Sequence, residues 1–138
     1  MSNLQRLLYV SRATDMFESS SINDLLGKWQ TQNALNEVTG VLCSGRGFFV
    51  QAIEGLESRV LQLYVQILKD ELHQQVSLLS IDLVSARAFS GWAMAHIDGN
   101  TLSEEHHSRL VSQTSVVHDS AATVNLFQRV LKSVRGAS

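Results

Sequence analysis

Val38-Thr39-Gly40-Val41-Leu42-Cys43, then Ser44-Gly45-Arg46-Gly47, then Phe48-Phe49-Val50-Gln51-Ala52-Ile53-Glu54-Gly55 is the stretch whose reading decides the fold. Its first run is β-branched and apolar, and Gly45-Arg46-Gly47 supplies a flexible turn, so the two runs read as an antiparallel hairpin. Period-two geometry puts Phe49, Gln51 and Ile53 on one face of the second strand. A carboxamide is thereby carried into the core between an aromatic and a branched apolar side chain.

Working outward, Arg6-Leu7-Leu8-Tyr9-Val10-Ser11 reads as a first strand with Leu7, Tyr9 and Ser11 on one face. A helix follows from about Ser21 to Asn33. Ile22, Leu25, Leu26 and Trp29 recur at helix spacing, Ser21 and Asp24 stand as a capping box, and Asn33 falls on the buried stripe. Beyond the hairpin, Val60, Leu61, Tyr64, Ile67 and Leu68 define a second amphipathic helix ending near Asp70. Ser77 to Val84 returns as a strand, and Phe89 to Ile97 suggests a short fifth one with Trp92, Met94 and His96 on one face.

The order βαββαββ, with two right-handed crossovers each returning a strand beside an earlier one, puts both helices on one face of a mixed sheet. The expected fold is an α+β ferredoxin-like sandwich over residues 1–97. Residues 98–138 form a C-terminal helical extension and not an independent domain. Thr101-Leu102-Ser103-Glu104-Glu105 carries the cap and acidic first turn of a helix start. A last helix bears Val124, Phe127, Val130, Leu131 and Val134, a stripe that must dock on the sheet's other face or on a partner chain.

The chain has 138 residues, a formal net charge of −2, a single cysteine and no proline. That suits one domain large enough for a core and a ligand cleft. Scattered Lys and Arg residues give no basic stripe, which argues against direct nucleic-acid binding. Lone Cys43 excludes an intramolecular disulfide, fits a reducing compartment and reads as a packed strand residue. With no stretch of roughly 20 apolar residues to cross a bilayer, the expectation is a cytoplasmic protein without membrane contact.

Tyr9, Asn33 and Gln51 each interrupt an apolar segment, and all three point into the cleft between the helices. An unpaired buried amide or phenol costs about 1–3 kcal/mol. Three of them converging argue for one shared polar partner, and a planar heterocycle would fit. Glu104, Glu105, His106, His107 and His118 cluster in the tail, but adjacent helical histidines diverge by about 100°, which favours a solvated face over a metal site.

The residues quoted so far, together with Ser11-Arg12-Ala13, Asp70, His73 and Phe89-Ser90-Gly91-Trp92-Ala93-Met94, occur in an order and spacing that resemble BLUF domains, blue-light sensors using FAD. The resemblance covers roughly residues 4 to 97. It implies that FAD binds non-covalently through Tyr9, Asn33, Gln51, Asp70 and His73, with Tyr9 and Gln51 the photoactive pair. It also implies that Trp92 and Met94 pass the signal outward from the fifth strand. The protein is then a photoreceptor rather than an enzyme, with no metal. Light would drive electron and proton transfer from Tyr9 with hydrogen-bond switching at Gln51, giving a red-shifted signalling form.

Two positions depart from the family pattern. Leu72 stands just before His73, where the family often has Arg, and Lys69 offers charge without the planar fork of a guanidinium. Trp29 replaces a small residue one turn before Asn33, where its indole either fills core volume or faces the flavin and competes as an electron donor. Nothing after Met94 resembles an output domain, so the signal is expected to leave by contact. A short stand-alone BLUF protein, by resemblance, acts on a separate downstream protein and self-associates as a homo-oligomer. Two alternatives stand beside this reading: a chromophore-free ferredoxin-like interaction module, and an acylphosphatase-like hydrolase. The latter wants a phosphate-cradling loop with an Arg, whereas Ala13 to Ser20 is acidic and lacks Gly.

Overall fold

The computed structural model describes residues 3–18, 22–111 and 120–136. In chain order the elements are β1 (Leu4–Ala13), α1 (Asp15–Glu18), α2 (Ile22–Leu35), β2 (Thr39–Gly45), β3 (Phe48–Leu56), α3 (Glu57–Lys69), β4 (His73–Leu83), β5 (Ala95–Asp98), a 3-10 turn (Gly99–Thr101), α4 (Glu104–Leu110) and α5 (Ser120–Gly136). Ser21 of the expected cap, His118 and the side chain of Val134 lie outside the described residues. The segment expected as a loop after β1 contains the short helix α1.

The five strands run in the order β4-β1-β3-β2-β5. The hairpin forms as its turn residues require. Arg46 and Gly47 sit at φ 54° and 81°, and two successive positive-φ residues make the tight turn whose twist matches the flanking strands. β3 pairs antiparallel with β2 and with β1, and β1 pairs antiparallel with β4. Each helical crossover skips one strand instead of landing beside its predecessor: β3 fills the gap between β1 and β2, and β1 fills the gap between β3 and β4. This is the split βαβ arrangement of a ferredoxin-like sandwich. β5 adds in parallel beside β2.

Odd-numbered side chains of β1 and β3 face α2 and α3. Leu7, Tyr9, Ile53, Val60 and Ile67 form one cluster there, and Leu42, Phe49 and Met94 another. The opposite face is covered by the tail: Val124, Leu126, Phe127 and Leu131 pack with Leu8, Val10, Val41 and Ala52. The last helix therefore docks on the sheet's other face, one of the two positions open to its apolar stripe.

Three sequence expectations need correction. β5 starts only at Ala95, because Ser90 to Met94 form a bent segment with Gly91 at φ 86°. Trp92 and Met94 precede the strand, and the bend sends Trp92 to the tail side and Met94 to the helix side. On α3 the buried side chains are Val60 and Ile67, with Leu63 and Tyr64 beside them, while Leu61 and Leu68 turn outward. His107 is buried against Phe48 at a ring separation of 5.8 Å, and not on a solvated face. Burial, reinforced by the Arg46 charge, pushes its pKa down.

Candidate functional site

Between α2 and α3 lies a cavity of about 360 Å³, floored by β1, β2 and β3. Pairing register builds its centre. Tyr9 stands directly opposite Gln51, and Leu42 opposes Gln51 from the other side. The Tyr9 hydroxyl donates to Gln51 Oε1, and Gln51 Nε2 faces Met94 Sδ at 3.4 Å. One carboxamide thus joins a phenol on β1 to the segment preceding β5.

Asn33 is the one fully buried residue of α2. Its Nδ2 donates to the Ala93 carbonyl at 2.8 Å, and Gln30 Nε2 donates to the Met94 carbonyl at 2.9 Å. The helix thereby holds the same segment that Gln51 touches. Ile22, Leu25, Leu26 and Trp29 are only half-buried; Leu26 and Trp29 pack against the Leu42, Phe49 and Met94 cluster, and of the four only Trp29 lines the cavity.

At the end of α3, Asp70 Oδ1 accepts from the Leu72 backbone N–H at 2.9 Å, which turns the chain into β4. His73 Nδ1 lies 2.8 Å from Ser11 Oγ, and its ring sits 4.4 Å from that of Phe49. Burial pushes the His73 pKa down to about 4, against the opposing pull of Asp70. Tyr9 is shifted the other way. Burial first, then the charges of Asp70 and Tyr64, raise its pKa well above the usual phenol value. At neutral pH both groups are uncharged, so Tyr9 and His73 act in the cavity as neutral hydrogen-bonding groups.

Of the residues singled out from sequence, Tyr9, Asn33, Gln51, Asp70, His73 and Met94 all line this cavity, and Trp29 does too. Trp92 does not; it borders a second cavity of about 140 Å³ with Ala88, Phe89 and Leu131. Lys28, Gln32 and Gln66 complete the polar lining and were missed. Lys28 and Gln32 repeat the four-residue spacing of Trp29 and Asn33, a signal that could have found them. Lys69, the expected stand-in for an Arg at position 72, is not a lining residue; Lys28 supplies a cation from the other helix. Cys43 is buried, and burial raises its pKa to about 12, leaving it a protonated core thiol. Among the described residues no group of three His, Cys, Asp or Glu side chains is placed to hold a metal, and no helix is long and apolar enough to cross a membrane.

Known proteins with this architecture have a common theme. The chain is 29% identical over 94 residues to photoactivated adenylate cyclase subunit beta of Euglena gracilis, a match covering 67% of this chain and 11% of that protein. It is 30% identical over 95 residues to the blue light- and temperature-regulated antirepressor BluF of Escherichia coli (strain K12), covering 69% and 24%. The chain thus aligns with about a tenth to a quarter of the length of these relatives. Among solved structures, BlrB, a BLUF protein in its dark state, superposes with a TM-score of 0.75 at 22% identity, covering 97% of this chain and 98% of that one. A bacterial light-regulated adenylyl cyclase gives 0.68 at 27% identity, covering 97% and 36%. The BLUF family profile, described as sensors of blue-light using FAD, matches residues 4–95, the whole of the sheet's first four strands and both cavity helices. The chain belongs to the BLUF family of FAD-using blue-light sensors.

Proposed function

We propose that this chain is a photoreceptor whose switch is the Tyr9–Gln51 pair, with FAD held non-covalently between α2 and α3. The observation that carries the reading is the buried chain of contacts from the Tyr9 hydroxyl through Gln51 to Met94. A cavity of about 360 Å³ is within the usual size of small-molecule sites, and its lining suits an isoalloxazine. Apolar Leu42, Leu63 and Ile67 would flank a flat ring, while Asn33 and Gln51 would offer amides to its polar edge.

When bound, the flavin supplies a strong one-electron oxidant on absorbing blue light. Tyr9 is the donor. Its raised pKa keeps the proton on the phenol in the dark. With FAD bound, Tyr9 would give up an electron to the excited flavin and its proton to Gln51 Oε1 along the existing hydrogen bond. Gln51 would stay neutral by passing an amide proton on to the reduced ring, and electron and proton would both return to Tyr9 as the pair relaxes. Gln51 then changes which end of its amide faces Tyr9, by rotation or tautomerisation. A donor turned toward the ring's carbonyl edge stabilises the more polar excited state and shifts absorption to the red. Asn33, Asp70 and His73 would hold the ring, and Lys28 adds a positive charge at the α2 wall.

The signal leaves through Met94 and Trp92 to α5. Gln51 touches Met94 on one side of the bent segment, and Phe89 lies 6.4 Å from Phe127 of α5 on the other. Residues 1–97 and the 98–138 extension act as one unit, which passes the signal by contact to a separate protein and self-associates. Absorption spectra before and after blue light, followed by dark recovery, test the proposal. The expected result is a yellow protein with a reversible red shift; a polypeptide that stays colourless after reconstitution with FAD overturns it.

A further inference from the structure

We propose that Glu54 is a positioning residue whose buried carboxylate fixes the Ala88–Met94 segment between the flavin cavity and α5, and so sets how strongly Gln51 is coupled to that helix. The inference rests on the photoreceptor reading above for its consequence, but not for its geometry.

β4 and β5 occupy opposite edges of the sheet, so the chain between Leu83 and Ala95 crosses its width, with Ala88 and Phe89 packed on the tail side. Glu54 lies on that crossing. Its carboxyl side chain is fully buried and lies against the Arg6 guanidinium. Arg6 and Thr39 are its lateral neighbours in register on β1 and β2. Arg6 Nε donates to Oε2 at 2.9 Å, and Thr39 Oγ1 donates to Oε1 at 3.1 Å. The crossing segment supplies the other two donors: Ala88 N–H to Oε2 at 2.7 Å and Phe89 N–H to Oε1 at 3.0 Å. Arg87 ties the same place down from outside, reaching Thr39 Oγ1 at 2.9 Å and the Glu37 carbonyl at 2.8 Å.

Four donors on two oxygens match the acceptor capacity of a carboxylate and of no other side chain of that size. A carboxamide keeps one acceptor oxygen and turns two hydrogens on donors that already point at it. The fastened residues also touch α5, because the Ala88 carbonyl accepts from Gln128 Nε2 at 3.1 Å. Five residues on, Ala93 and Met94 meet Asn33 and Gln51. A displacement at Met94 is therefore transmitted along a segment whose far end is pinned, instead of being lost in a slack loop.

The test uses Glu54→Gln in the full flavin-loaded chain, with Leu8→Ala as a control of comparable core damage on the same face. Amide exchange of residues 88–94 and 124–131 is read in the dark and under blue light, alongside the absorption shift. In E54Q the dark exchange of Ala88 and Phe89 should rise at least tenfold, and the light-induced change over 124–131 should fall to a small fraction of the unmodified chain's. The absorption shift should persist, since the Tyr9–Gln51 pair is untouched. L8A should keep the light-induced change. Unaltered dark exchange at Ala88 and Phe89, or an equal light response of α5 in E54Q and the unmodified chain, overturns the inference. If E54Q does not fold, Thr39→Val removes one donor and is read in the same way. Should the unmodified chain show no light response at all, the photoreceptor reading fails, while the dark exchange still decides the role of Glu54.

Discussion

Replacing Tyr9 with Phe removes one oxygen from the centre of the cavity and separates stability from photochemistry. Tyr9 is fully buried and Gln51 is 5% exposed, so the lost hydroxyl leaves Gln51 Oε1 facing a ring edge without its donor. An orphaned buried acceptor costs about 1–3 kcal/mol, partly offset because Phe carries no phenol to desolvate. The ring contacts to Tyr64 at 6.0 Å and His73 at 5.9 Å survive. The expected net loss is about 1–2 kcal/mol, which for a chain of this size lowers Tm by about 3–8 °C. Calorimetry of Y9F, Q51L and the double variant gives the coupling directly. The pair should be worth about 1 kcal/mol, whereas additive losses would show that the bond contributes nothing. On the same preparations flavin should remain bound, because Asn33 and the apolar walls are unchanged, and the blue-light red shift should disappear. A Y9F protein with a full shift and ordinary recovery refutes the donor role of Tyr9.

His73 makes stability depend on pH. Its folded pKa of about 4 lies below the unfolded value of 6.5, so the unfolded chain binds more protons between those values. Stability should fall by about 3 kcal/mol as pH drops from 6.5 to 4, with His96 and His107 acting in the same direction. Melting curves across that range, compared with His73→Gln, measure it. Trp29→Phe keeps the cavity wall aromatic but removes an oxidisable indole, and should raise the fraction of protein converted per absorbed photon. Gly40→Ala would place a Cβ 2.1 Å from the Ala52 carbonyl oxygen; pushing β2 off β3 should cost about 3 kcal/mol or more in denaturant unfolding. Phe127→Ala in α5, at a position 1% exposed, should cost about 3–5 kcal/mol in the same assay if the extension and the sheet share one core.

The parts of this molecule that sequence reveals are those governed by local rules. The hairpin is legible because Gly45-Arg46-Gly47 meets a turn that demands left-handed backbone. Tyr9 and Gln51 are legible because period two leaves no choice of face within an uninterrupted strand. The same rule fails at Trp92, where a bend at Gly91 interrupts the strand. Gly91 reverses the chain, and Gly40 N–H bonds the Trp92 carbonyl at 3.0 Å, so alternation restarts only at Ala95. On α3 the apolar residues spread over more surface than the sheet covers, and pattern alone does not say which margin turns outward. Leu61, Val65 and Leu68 stay exposed while Leu63 lines the cavity. The Glu54 fastening was invisible for a different reason, since its donors come from residues 15 to 48 positions away in the chain.

Under the proposed function, β3 is what separates sensing and output onto opposite sides of one sheet. Gln51 and Glu54 are three residues apart, and an odd separation in a strand sends the two side chains to opposite faces. The cavity between α2 and α3 belongs to the first face, and α5 to the second, with a layer of fully buried Leu8, Val10, Val41 and Ala52 between them. Such a close-packed layer has no room for a side chain to swing through it. Among the described residues the Ala88–Met94 segment touches both sides, meeting Asn33 and Gln51 at one end and α5 at the other, and under the proposed function it is the path for a change at Gln51. That places the demand on the segment's anchors. Gln51 and Asn33 grip its cavity end, Glu54 grips its tail end, and a fault at either should silence α5 while leaving the other end intact.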